Sequence, residues 1–289
     1  MNSVAKNNQK MEIFLCFLFS LLLINETNQS HWRGGTISWA PVDKSVIFPI
    51  TSTNVYIRQR YFDLLGYSFD DSCKTPGDIA SGTNIVNKNR PYFLESQNGP
   101  SWKMSTEVYC YDYNVTENWQ AGDRTQTQYI ITSKPVNAIY EDGNWIANII
   151  LTPDTNSSLF FFEVKIDLKQ RSDTGKINSS PFVNLKTSTI RLSNNCAGIN
   201  QTYVIPVSDP DAGDLVKCRC RNNSCHQNFI MDEARCIFYF NPNTTGYYGV
   251  YITIEDFAPS NKSVPLSSIP LLLVVRVTNN PGDCCKVLF

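Results

Sequence analysis

The stretch Ser267-Ser-Ile-Pro-Leu-Leu-Leu-Val-Val-Arg-Val277 decides the fold, because it is the second apolar run of the chain and admits two opposite readings. A membrane-spanning helix needs about 20 consecutive apolar residues. Here the apolar core is only about nine residues long and contains Arg276, so the run reads as a buried final strand rather than a span. Working outward from it, period-2 runs bounded by Gly, Pro, Asn and Asp recur along the chain, and almost no segment repeats apolar residues at helical spacing. Clear strand candidates are 35–39, 53–61, 106–113, 127–132, 145–151, 159–168, 203–206, 214–220, 235–240, 249–255 and 270–277. The expectation is an all-β chain of two antiparallel β-sandwich domains, immunoglobulin-like or cadherin-like, stapled by disulfides.

The turn-rich Arg-Ser-Asp-Thr-Gly-Lys-Ile-Asn-Ser-Ser-Pro of 171–181 separates two strand clusters. It sets a first domain at 31–187, with an irregular middle at Asp63–Ser105, and a second at 188–280. The first domain opens on His-Trp-Arg-Gly-Gly-Thr-Ile-Ser-Trp, residues 31–39. Alternation turns Ile37 and Trp39 inward and Thr36 and Ser38 outward. Gly34 and Gly35 permit a bulge, and the His31–Arg33 head is left exposed.

At the N-terminus, Lys6 and Lys10 precede the apolar run Met11–Ile24, which has the length of a secretory h-region. Residues 1–30 read as a signal peptide, and the mature chain as secreted, or held at the cell surface if an anchor follows. An oxidising compartment turns cysteines into bridges. Cys16 leaves with the signal, and the expected pairs are Cys73–Cys110, Cys218–Cys236, Cys220–Cys225, and Cys196 with Cys284 or Cys285. The rival reading, a zinc site from the cysteines of 218–236 with His226, needs reduced thiolates and lacks knuckle spacing. The odd cysteine count makes residues 281–289 the expected start of a further module. Glycan acceptors of the Asn-x-Ser/Thr type occur at Asn114, Asn156, Asn178, Asn200, Asn222, Asn243 and Asn261, and also at Asn25 and Asn28 beside the cleavage region. Each is expected on an exposed loop or strand edge.

A formal net charge of -1 provides no field to gather nucleic acid or an acidic membrane surface. The mature chain keeps two histidines, His31 and His226, so triads and histidine metal sites are not expected, and the chain reads as non-enzymatic. Three features offer ligand chemistry. Asp209, Asp211 and Asp214, with Glu255 and Asp256, supply hard oxygens at a spacing able to wrap calcium, the one cofactor suggested; the same residues are also strong turn formers. Tyr109, Tyr111 and Tyr113 alternate with Cys110, so a disulfide drawn inward would turn the three rings outward as a row on which a glycan could stack. Lys217, Arg219 and Arg221 form a basic strand face suited to a sulfated glycan, or to solvent alone.

Taken together, HWRGGTISW (31–39), RSDTGKINSSP (171–181), IPVSDPDAGDLVKCRC (205–220), YYGVYITIEDF (247–257) and PLSSIPLLLVV (265–275) resemble an uncharacterised module of invertebrate extracellular and cell-surface proteins. GYYGVYITIEDFAPS also resembles the penultimate strand of cadherin-like and PKD-like sandwiches. The resemblance implies sandwiches placed ahead of further extracellular modules, and no catalytic residues. The expected role is extracellular recognition, adhesion or matrix scaffolding, with a protein or glycan as partner. The alternative is a lectin-like module using the tyrosine row.

Overall fold

The computed structural model describes residues 32–45, 52–65, 73–85, 93–97, 101–131, 134–146, 149–150, 159–194, 201–221, 225–241 and 244–280. Among them the chain is all-β. The strands are β1 (Trp32–Pro41), β2 (Ser52–Leu64), β3 (Phe93–Gln97), β4 (Lys103–Ser105), β5 (Tyr109–Asn114), β6 (Trp119–Ile131), β7 (Val136–Asn144), β8 (Ile149–Ile150), β9 (Leu159–Ile166), β10 (Phe182–Val183), β11 (Thr189–Ser193), β12 (Gln201–Val204), β13 (Val207–Ser208), β14 (Leu215–Cys220), β15 (Phe229–Asp232), β16 (Ile237–Phe240), β17 (Gly246–Phe257) and β18 (Ser267–Thr278). No described helix is long and apolar enough to cross a membrane.

The apolar run that opened the sequence reading is β18, with Ile269 to Val275 all buried. It is apolar without alternation because it is flanked on both edges and covered on both faces. One edge pairs antiparallel with β17 along its length, from Gly246↔Val277 to Asp256↔Ser267. The other edge meets β9 at Ser268↔Lys165, then β1 at Leu271 and Leu272, and then β11, which runs parallel from Thr189↔Val274. One 13-stranded sheet results, its main path running β4-β3-β7-β9-β18-β1-β2-β6-β5, with smaller sheets of β10 with β13 and of β12, β16 and β15. The boundary expected at 187 falls inside this pairing, because β11, β14, β17 and β18 hydrogen-bond into the sheet that contains β1 to β9.

β1 shows why. Gly34 has φ 137°, and a Cβ there would fall 2.3 Å from the Leu272 carbonyl oxygen, so only glycine lets β1 approach β18 this closely. The expected exposure of the strand's head is overturned as well. Trp32 is buried and stacks on Phe160 with ring centroids 4.8 Å apart, Arg33 is buried, and Thr36 turns inward to donate to the Pro270 carbonyl at 2.8 Å. A strand with neighbours on both sides has no solvated edge. His31 lies outside the described residues. In β9 the alternation holds as written: Phe160, Phe162, Val164 and Ile166 are buried, whereas Phe161, Glu163 and Lys165 are half-buried on the other face. The inward rings join Tyr61, Tyr140 and Trp145 in an aromatic core worth roughly 1.5–3 kcal/mol per buried side chain.

The irregular middle holds a short helix, α1 (Pro76–Ser81), which the period-2 reading missed. Its signal was present in Thr75-Pro-Gly-Asp78. Thr75 and Asp78 form a reciprocal capping box, proline occupies the first turn, and Gly82 ends the helix at φ 64°. Cys73 before it is bonded to Cys110 on β5, Cys218 to Cys236, and Cys220 to Cys225. Cys196, Cys284 and Cys285 lie outside the described residues, as do the signal segment, the 281–289 tail, Asn156, Asn200, Asn222 and Asn243.

Candidate functional site

Residues from 31–39, 171–181, 205–220, 247–257 and 265–275 meet at one polar node. After β9 the chain turns at Asp173-Thr-Gly175, where Gly175 adopts φ 67° and its N–H reaches the Arg171 carbonyl at 2.9 Å. The turn presents Arg171, its side chain 4% exposed, to acids from two loops. The guanidinium grips Asp214 with both ends, with Nη2 to Oδ1 at 2.7 Å, and holds Asp173 through Nε at 3.0 Å and Nη2 at 2.8 Å. It also donates to Asn178 Oδ1 at 3.0 Å. Asn178 passes the network on, donating from Nδ2 to Asp256 Oδ2 at 2.7 Å. Asp256 on β17 accepts at Oδ1 from the Ser267 N–H (2.9 Å) and hydroxyl on β18. Next to Asn178, the Ser179 N–H donates to Asp211 Oδ2 at 2.7 Å, and Asp211 pairs with Lys44. The Ser180 hydroxyl accepts from the Trp39 N–H at 2.8 Å. Residues of all five stretches are thereby tied together, and what joins them is an internal frame.

Oxygens of Asp209, Asp214 and Asp256 lie within 4.8 Å of one another. Burial is the main cause that pushes the Asp209 carboxyl up to about 7, reinforced by the neighbouring Asp256, Asp214 and Asp211. Burial likewise raises Asp256 to about 6, against the bonds it accepts from Ser267 and Asn178. Arg171 is held well above its ordinary value, first by its bonds to Asp214. Asp173 is held low by Arg171.

Of the five acids expected for calcium, Asp209, Asp214 and Asp256 converge, whereas Asp211 and Glu255 are turned to other partners. Adjacent residues on a strand face opposite ways, so Asp256 enters the node while Glu255 turns to Arg219 at 3.1 Å. Asp211 is taken by Lys44 and Ser179. Of the three acids that converge, Asp214 is occupied by Arg171 and Asp256 by Ser267 and Asn178, which leaves Asp209 Oδ2 as the oxygen without a partner. Calcium takes six to eight oxygens, and Arg171 already holds Asp214, one of the three acids that converge.

The tyrosine row is also broken. A bulge in β5 between Cys110 and Asp112 shifts the register against β6, which ends strict alternation. Tyr109 remains exposed with Arg124 over its ring at 5.2 Å, but Tyr111 lies under Arg60 at 4.9 Å and edge-on to Phe62, and Tyr113 packs against the core. Among the acceptor asparagines, Asn261 is exposed and Asn114 half-buried at a turn, accepting from the Glu117 N–H at 2.9 Å. Asn178 is 2% exposed with both ends of its amide bonded, so in the folded chain it is a structural residue and not the exposed acceptor expected. No zinc thiolates stand at 218–236, because those cysteines are bonded to each other. His226 packs edge-on to Phe229 and Tyr248.

No model of a protein family and no solved structure matches the chain. Two curated proteins of Dictyostelium discoideum are similar to it. Integrin beta-like protein A is 22% identical over 260 residues, covering 86% of this chain and 12% of that protein. Integrin beta-like protein C is 23% identical over 254 residues, covering 85% and 12%. The chain thus spans about an eighth of the length of these relatives.

Proposed function

We propose that the chain is a non-enzymatic extracellular recognition module of the adhesion type, one folded segment of the kind that larger surface proteins carry. The observation that supports this most is the similarity to two integrin beta-like proteins over 85% or more of the chain. Three bridged cysteine pairs accord with an oxidising compartment. The polar node adds a negative argument from chemistry. Ser180 donates to backbone carbonyls, Ser267 donates to Asp256, the acids are otherwise held by a guanidinium and an amide, and no imidazole faces them among the described residues.

Beads coated with the full chain, offered to cells beside beads coated with an unrelated disulfide-bonded sandwich, test the reading. Greater attachment to the first is expected. Equal attachment across several cell types removes the adhesive role.

A further inference from the structure

The basic face Lys217–Arg219–Arg221 is absorbed unequally by the fold. Lys217 lies over Phe257 and donates to the Lys262 carbonyl, and Arg219 pairs with Glu233 and Glu255. Arg221 has no carboxylate partner among the described residues. Its guanidinium sits between the rings of Phe161 on β9 and Tyr251 on β17, 4.7 Å from each centroid. Stacking of this kind fixes the planar head without consuming its donors.

Beside it, on the outer face of the large sheet, a groove of about 290 Å³ is lined by Asn137, Glu163, Lys165, Arg221, Thr253 and Ser268. Its geometry follows from the topology. β9 pairs with β18 only at Lys165↔Ser268, and farther along β18 the pairing passes to β1 at Leu271 and Leu272, while β17 pairs with β18 along its length. Lys165 forms no ion pair among the described residues, though Glu255 is near enough to feel its charge, while one Glu163 oxygen accepts from Asn137 Nδ2 at 3.0 Å. Two cations, one carboxylate acceptor, an amide and two hydroxyls therefore share one wall with the edge of an aromatic stack.

We infer that this groove binds a saccharide carrying one carboxylate or sulfate. Arg221 is the anion contact and Lys165 the second cation, with Glu163, Thr253 and Ser268 partnering sugar hydroxyls. A purely anionic peptide is the poorer fit, because Glu163 would repel it, whereas a polyol uses a carboxylate as an acceptor. The choice of a saccharide rests on the extracellular reading above, but binding to purified protein is measured wherever a cell places the chain, so a failed adhesion assay leaves this site standing.

Titrating the full chain with lactose, sialyllactose, sulfated lactose and inorganic sulfate tests the site. The two acidic sugars are expected to bind about tenfold or more tighter than lactose, and Arg221→Ala to abolish that difference, as loss of a charged hydrogen-bond partner does. The melting temperature of the variant reports that the fold is kept. Thr253→Val, which preserves side-chain shape, is expected to weaken both acidic sugars and keeps the groove testable if Arg221→Ala does not fold. The site is overturned if lactose binds as well as its acidic forms, or if Arg221→Ala binds unchanged. It is also overturned if inorganic sulfate competes as tightly as sulfated lactose, which would mean an adventitious ion only.

Discussion

Arg171, in the turn region after β9, and Arg221, directly after β14, are used in opposite ways. The first is enclosed by Asp214, Asp173 and Asn178, the second by two aromatic rings and a groove. A guanidinium whose donors are consumed inside the protein holds loops in place. One that is oriented by stacking, with its donors left over, faces outward chemistry. The contrast separates the loops and strands around Arg171, which build a frame, from the one cation of the 217–221 row that the frame does not use.

The largest expected effect tests that contrast directly. Arg171→Met leaves Asp214, its side chain 1% exposed, without a counter-charge, and breaking a buried pair from one side costs about 3–5 kcal/mol. Arg221→Met strands no acid and is expected to cost about 1 kcal/mol or less. Urea unfolding of the two variants side by side measures both; equal losses would break the comparison.

A smaller effect concerns pH. Asp209, raised to about 7 by burial, binds its proton more tightly folded than unfolded. Its contribution to stability is therefore complete below about pH 4 and is lost as the pH rises through 7. Asp256, raised to about 6, acts in the same sense. The charged groups tied into this node are Arg171, Lys44, Asp173, Asp211 and Asp214. Asp209→Asn, which can still accept from the Asp211 N–H, is expected to match the parent at pH 4 and to exceed it at pH 8 by on the order of 1 kcal/mol. A gain of the same size at both values would show that the carboxyl does not titrate between them.

The smallest expected effect is that of calcium. With Arg171 already on Asp214, melting curves at pH 8 in calcium and in chelator are expected to coincide. A chelator-dependent fall would show that an ion competes with the guanidinium.

Much of this was legible residue by residue. The alternation in Phe160–Ile166, the short non-spanning character of 267–277 and the small ring of Cys220 with Cys225 all follow from neighbours in sequence. The α1 capping box was equally local and was passed over only because strands surround it. The tyrosine row failed at a single bulge, which depends on the register of β5 against β6. Asn178 satisfies an acceptor motif that says nothing of burial.

By itself the sequence determined that the chain is built of strands and which face of each is apolar, because a period of two is a property of adjacent residues. Tertiary structure alone decided that β1 lies against β18, joined by Thr36 and Pro270 across 234 positions, and that acids from separate loops share one arginine. Strand partners and charge partners at such separations are selected by the total burial and pairing of the folded chain, and no local pattern encodes that sum.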